Sequence, residues 1–132
     1  MMMMSNRKSG TKFEDELCEI LSAQGFWAHN LAQNSAGQPA DVLTAKNNKP
    51  YLIDCKDCQN DKLSLSRIEP NQESAMTLWQ QTGNTECYFA LRSHTGVIYM
   101  AHLNVLITMR NSISQVNVDK FPTLEEWICK QL

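Results

Sequence analysis

Phe13, Leu17, Ile20 and Leu21 recur at i, i+4, i+7 and i+8, the spacing of one buried face of an α-helix. Thr11-x-x-Glu14 can close a capping box before them, and Gly25 stands where a left-handed C-cap is wanted. A helix is therefore predicted from about Thr11 to Gln24. At roughly 100° per residue, Asp15 and Glu19 point away from the apolar stripe, while Glu14 and Glu16 lie on its shoulders. Cys18 shifts the centre of the stripe towards Glu14, so Glu14 is expected at the edge of the core and Glu16 in solvent.

Three strand-like stretches follow: Phe26 to Leu31, Ala40 to Lys46, and Tyr51 to Cys55 or a little beyond. A small, polar segment from Ala32 to Pro39 separates the first two as an exposed loop, and Asn47-Asn48-Lys49-Pro50 makes a tight hairpin between the second and third. The result is a β-meander. Pro70 suits the first turn of a second helix reaching about Thr82, with Gly83 as its stop and Ala75, Met76 and Trp79 as its apolar face. Glu86 to Arg92 and Val97 to His102 read as a further hairpin, Leu103 to Arg110 as a short helix, and Thr123 as the cap of a terminal helix. The order αβββαββ(α)α gives an α/β domain over residues 13–132, preceded by a basic arm at 1–12.

Composition bounds the rest. With 132 residues, 42% of them hydrophobic, a chain can bury a core without disulfides, and no apolar run approaches the ~18 residues of a membrane span. Five cysteines, an odd number scattered along the chain, point to a reducing compartment; with no signal-like start, the expected location is cytoplasmic. A net charge of -2 argues at first against a nucleic-acid binder. Position changes that picture, because Arg7, Lys8 and Lys12 have no acid among them while nine of the fourteen acids fall within residues 13–69.

Those acids gather where strands meet. A hairpin turning at Asn47-Asn48 sets Asp41 and Asp54 side by side on strands ~5 Å apart, and strand alternation puts Lys56 on the face of Asp54. Two adjacent carboxylates repel unless a cation sits between them, and oxygen ligands suit Mg²⁺ or Mn²⁺. Lys56 could stabilise charge developing on a phosphate or help position the attacking water. Taken singly, Asp54-Cys55-Lys56 is a weak signal, and Asp41 could be a turn residue. Context raises the joint case: a shoulder Glu before the hairpin, and Gln72 on a helix after it.

As a set, Phe13-Glu14-Asp15-Glu16-Leu17, Pro39-Ala40-Asp41, Ile53-Asp54-Cys55-Lys56 and Gln72 resemble the PD-(D/E)XK nuclease superfamily. Leu63 to Gln72, followed by an apolar helix, a Gly and two strands, is most similar to RecU-type Holliday junction resolvases, and Arg7 to Phe26 is similar to the archaeal-type resolvases. The resemblance spans roughly residues 7 to 106 and implies a restriction-endonuclease-like fold with a central mixed sheet flanked by helices. It implies a Mg²⁺- or Mn²⁺-dependent endodeoxyribonuclease making paired nicks in four-way junctions, leaving 5′-phosphate ends and working as a homodimer. By the same resemblance, Asp41, Asp54 and the Cys55 carbonyl bind metal. Glu14 is the acid of the first helix and a candidate further ligand, Lys56 is the catalytic lysine, and Gln72 helps near the attacking water or the scissile phosphate. Arg7, Lys8, Lys12, Gln33, Asn34, Ser35, Gln38 and Arg67 are implied to contact DNA. Asp54 stands where the resolvases more often carry Glu. The chain also looks too short for the longer N-terminal region and stalk of bacterial RecU proteins, which fits a compact version, phage-encoded or otherwise trimmed, at work in a bacterial cytoplasm, or in the host cytoplasm if phage-encoded.

Two alternatives fit the same residues: another DNA substrate for the same chemistry (restriction-like, flap or repair nicking), or a non-catalytic DNA-binding module. Cys55-x-x-Cys58 lacks the second ligand pair of a zinc site, and His29, His94 and His102 are isolated in sequence. Trp79 and Trp127 fit helix packing stripes. Trp27, alternating with His29, suits a core or dimer contact, or stacking on a base.

Overall fold

The computed structural model describes residues 13–31 and 40–131. The first apolar stripe folds as α1 (Phe13–Ala23), with Phe13, Leu17 and Leu21 buried; its expected Thr11 cap lies outside the described residues. The chain reverses after α1 at Gly25, which takes φ 87°, a conformation that a β-carbon would strain.

The meander forms as β1 (Trp27–Asn30), β2 (Val42–Lys46) and β3 (Lys49–Cys58), antiparallel in sequence. The turn between β2 and β3 is tighter than the sequence suggests. Only Asn47 and Asn48 make it, at φ 53° and 66°, a left-handed pair that asparagine tolerates and that matches the twist of a hairpin. Lys49 and Pro50 already pair with Lys46 and Ala45. At its other end β3 outlasts β2, because Leu52 to Cys58 pair in parallel with β5 (Cys87–Ser93). The crossover between them carries α2 (Pro70–Gln81), and β5 then pairs antiparallel with β6 (Ile98–His102). The mixed sheet has the order β1-β2-β3-β5-β6.

The two later helices lie where the sequence placed them. In α3 (Leu103–Arg110) the His102 side chain accepts the Asn104 N–H, and in α4 (Leu124–Lys130) Thr123 and Glu126 form a capping box. The sequence missed β4 (Lys62–Ser64) and β7 (Gln115–Asn117), which pair as a separate two-stranded sheet. Three residues are too few to show an alternating pattern. Short 3-10 turns follow each, at Leu65–Arg67 and Val118–Lys120.

Both faces of the central strands are covered, as their apolar positions require. On one face Val42, Tyr51, Ile53 and Met100 pack with Phe13, Leu17 and Leu21 of α1 and with Leu124, Trp127 and Ile128 of α4. Trp127 is the hub there, with Phe26, Tyr51 and Tyr88 rings centred 5.9, 5.2 and 5.3 Å away. On the other, Leu52, Phe89 and Leu91 pack with Met76 of α2, with Leu103 and Leu106 of α3, and with Leu63 and Val116 of the small sheet. No helix among the described residues is long and apolar enough to cross a membrane.

Candidate active site

The sheet opens where β2 begins. Asp41 stands one residue before that strand; its N–H donates to the Ile53 carbonyl at 3.0 Å, and its Oδ2 accepts the Cys55 N–H at 2.8 Å. A carboxylate thus takes over the ladder position where the backbone of β2 has run out. Asp41 stands one step beyond the last registered pair, Val42↔Ile53, and its carboxyl lies close enough to that of Asp54 to interact with it. Asp54 is only 2% exposed. Burial first, and the neighbouring Asp41 charge second, push its carboxyl up to about 7, while Lys56 acts in the opposite sense.

Lys56 is also buried. Its Nζ lies 3.2 Å from Asp54 Oδ2 and donates to Gln72 Oε1 at 3.1 Å. Gln72 Oε1 also accepts the Glu69 N–H at 3.3 Å, completing the reciprocal cap of α2. The cap that starts the crossover helix is therefore the group that fixes the lysine. Gln72, expected to help near the attacking water or the phosphate, is brought to the site by its hold on Lys56.

The donor set suits a divalent cation in one specific respect. Asp54 Oδ2 is buried with no hydrogen bond aligned on it, although Lys56 is near. An oxygen in that condition, beside a second carboxylate, is what a hard cation satisfies. The Cys55 carbonyl points to the same side as the Cys55 N–H, past the end of β2, since both groups of one strand residue face one neighbour. Glu14 is half-buried in the first turn of α1, and its charge contributes to raising the Cys55 thiol well above its ordinary value, after burial, Asp41 and Asp54. Among the described residues, however, no three His, Cys, Asp or Glu side chains converge as a metal cluster. Asp41, Asp54 and the Cys55 carbonyl are the candidate ligands, with Glu14 of the neighbouring helix turn as a further candidate.

Glu16 is not the solvated acid expected. It binds Arg92 of β5, which also grips Asp57 of β3 through two bonds, Nε to Oδ1 at 2.7 Å and Nη2 to Oδ2 at 3.0 Å. The guanidinium lies 4.6 Å from the Phe13 ring centroid. Neither Asp57 nor Arg92 drew attention in the sequence, because they become neighbours only through the parallel register Asp57↔Arg92. This clamp ties α1 to the strand that carries Asp54 and Lys56. Arg92→Met leaves the half-buried Glu16 and the exposed Asp57 without their partner and should lower the unfolding free energy by about 1 kcal/mol, at the upper end for solvent-screened pairs. Urea denaturation reads it; Arg92→Lys should recover less than half, since an ammonium lacks the planar fork. An unchanged midpoint in Arg92→Met would mean that the clamp contributes nothing.

Of the residues expected at DNA, Arg67 is exposed and donates to the Asp57 carbonyl at 2.8 Å, near the end of β3. Arg7, Lys8, Lys12, Gln33, Asn34, Ser35 and Gln38 lie outside the described residues. Cys55 and Cys58 belong to opposite faces of β3, so they cannot share a metal or a disulfide, and burial raises both thiols. His94 binds Asp61, and His102 caps α3; neither reaches the acids.

Comparison with known proteins bears on this arrangement. Residues 4–128 match the family model described as archaeal Holliday junction resolvase (hjc). Of the two resolvase types that the sequence resembles, the match is to the archaeal one. Among solved structures, the chain is similar to Hjc of Archaeoglobus fulgidus, a Holliday junction resolvase from an archaeal hyperthermophile. The TM-score is 0.68 at 18% identity, over 92% of this chain and 96% of that one, a likeness of fold that fits the central mixed sheet with helices on both faces. No curated protein sequence matches.

Proposed function

The chain belongs to the archaeal Holliday junction resolvase family, and from that premise we propose that it is a divalent-metal-dependent endodeoxyribonuclease that resolves four-way DNA junctions by hydrolysing phosphodiesters at the Asp41/Asp54/Lys56 site. The observation that carries this reading is the buried, hydrogen-bond-deficient Asp54 Oδ2, set beside Asp41 and 3.2 Å from Lys56 Nζ. A cation between two such carboxylates relieves their mutual repulsion.

Asp41 and Asp54, with the Cys55 carbonyl, are the residues that would hold Mg²⁺ or Mn²⁺. When bound, such an ion neutralises phosphate charge and acidifies a water molecule. Lys56 brings a fixed ammonium to the same place. Held by its hydrogen bond to Gln72 Oε1 and by its charge 3.2 Å from Asp54 Oδ2, it has donors left for a phosphate oxygen as charge builds there, with little reorganisation at the moment of reaction. Asp41 spends one oxygen on the Cys55 N–H, which fixes its carboxylate plane. Glu14 is a candidate further ligand of that ion, and Arg67, exposed near the end of β3, is the described group placed to meet the DNA backbone. Hydrolysis by an activated water leaves a 5′-phosphate and a 3′-hydroxyl. The described residues of one chain form one such site, whereas resolving a junction takes two symmetric nicks, so we infer a homodimer.

A synthetic four-way junction incubated with the protein and Mg²⁺ should acquire paired, symmetric nicks near the branch, and EDTA should prevent them. Linear duplex of the same sequence should be cut at least a hundredfold more slowly. Equal cleavage of duplex, or preference for a flap or mismatch, would replace the junction assignment with another substrate for the same chemistry.

A further inference from the structure

We propose that Trp27 and His29 form a stacking platform for a nucleobase exposed at the branch point, so that β1 reads the junction while the acids cut it. This deepens the resolvase reading and rests on it.

The pair is unlike the other aromatics of the chain. Phe26, Tyr51, Tyr88 and Trp127 are packed against one another inside the fold. Trp27, by contrast, is 60% exposed, among the most exposed of the large apolar side chains described, which excludes the core position its alternation allowed. Its ring lies nearly parallel to that of His29, with an interplanar angle of 16° and centroids 5.8 Å apart. The backbone beneath is fixed: Thr44, fully buried, donates its hydroxyl to the Trp27 carbonyl at 2.6 Å, and Asn30 bonds to Asp15 of α1. An exposed but pre-positioned aromatic surface loses little freedom on binding.

Its direction follows from the register. Trp27 pairs with Ala45 and His29 with Leu43, while Leu43 pairs with Leu52. Leu52 lies two residues from Asp54 on the face occupied by Asp54 and Lys56, and alternation along β2 puts Asp41, Leu43 and Ala45 together. Trp27, His29, Asp41 and Asp54 therefore share one face of the sheet. Two residues along a strand are ~7 Å, so His29 is one such step from the level of Asp41 and Trp27 two. That is the span of a few nucleotides.

An aromatic face of this kind discriminates by what the DNA offers. Inside a continuous duplex each base pair is stacked on both sides, and a ring can enter only by unstacking it. At an opened four-way junction the pairs bordering the branch each have one uncovered face. Stacking on that face is tolerant of base identity, because every base has a π-surface. A platform at a fixed reach from the acids would thus hold the branch at a fixed distance from the cut without reading sequence.

Affinity of the full-length protein should be measured in Ca²⁺ for a four-way junction and for duplex of the same sequence, with Trp27→Ala, Trp27→Phe and His29→Ala. Trp27→Ala should weaken junction binding about tenfold, within the range of base–aromatic stacking, and change duplex binding less than twofold. Trp27→Phe should restore most of the loss, and His29→Ala should cost less than Trp27→Ala. Junction-dependent quenching of tryptophan fluorescence should disappear in Trp27→Phe, because Trp127 is buried and Trp79 is packed against the core. Equal loss on both DNAs, no loss on either, or a shift from dimer to monomer in sedimentation of Trp27→Ala would overturn the platform, the last by assigning Trp27 to a second copy of the chain. Failure of the wild-type protein to nick the junction in Mg²⁺ would instead overturn the resolvase reading, independently of these affinities.

Discussion

Asp54→Asn should abolish junction nicking, by at least a thousandfold, and at the same time make the metal-free protein more stable at pH 8. The two effects have one origin. Asp54 is buried beside Asp41, and its carboxyl is pushed from 3.8 to about 7. A carboxyl whose pKa is raised in the folded state adds stability that is fully present below its unfolded value. That stability is lost as pH rises through the folded one. Metal-free wild-type protein should therefore weaken between about pH 4 and pH 7, and the displacement corresponds to an order of 4 kcal/mol. Asparagine never ionises, so the advantage of the variant over wild type should grow across that window and level off above it. In EDTA the thermal midpoint of Asp54→Asn should exceed that of wild type by several degrees at pH 8 and by little at pH 4. Adding Mg²⁺ or Mn²⁺ should raise the wild-type midpoint and leave the variant unmoved, since ligand binding stabilises only what binds it. A variant that is less stable than wild type in EDTA at pH 8 would show that Asp54 is satisfied without a metal.

Lys56→Met should reduce nicking by a hundredfold or more with junction affinity within about threefold of wild type. Methionine keeps the unbranched apolar stem in a site that is 8% exposed, so the fold should survive and the loss should report the ammonium alone. Arginine should not rescue it. Lys56 Nζ is fitted between Asp54 Oδ2 at 3.2 Å and Gln72 Oε1 at 3.1 Å, and a planar guanidinium is larger and directs its donors differently. Single-turnover rates with saturating enzyme separate this chemical loss from binding. A variant with near-normal rates would demote Lys56 to a partner that merely offsets the buried charge of Asp54.

What the sequence made legible divides along a physical line. The α1 stripe, the Asn47-Asn48 reversal, the Pro70 start of α2 and the Thr123 cap are local signals, carried by residues within one or two turns of each other, and the helices and main strands lie where these signals put them. The approach of Asp41 to Asp54 was legible for the same reason, because a two-residue turn fixes the register of a hairpin. The grip of Gln72 on Lys56 and the Glu16–Arg92–Asp57 clamp were not, since each needs the parallel docking of β5 or the angle of the crossover helix. Glu16 illustrates the limit. Helical periodicity correctly put it on a shoulder of α1, but whether that shoulder faced water depended on an arginine far along the chain. The small β4–β7 sheet was invisible because each strand is three residues long. The exposure of Trp27 could not be read either, as alternation states which residues share a face and not whether another layer covers it.

The parallel pairing of β3 with β5 also sets an order of assembly. The β2–β3 hairpin needs only its own turn, so its carboxylate pair can meet on the microsecond scale typical of hairpins. Phe89 reaches Asp54 only after the whole crossover has closed, a non-local step that is intrinsically slower. A β2–β3 hairpin that formed first would bring the two acids together before the sheet that buries them is complete. Their repulsion is least costly while they are still wet, and its full cost falls on the final docking of β5 and α2, the step that also delivers the Gln72 anchor to Lys56.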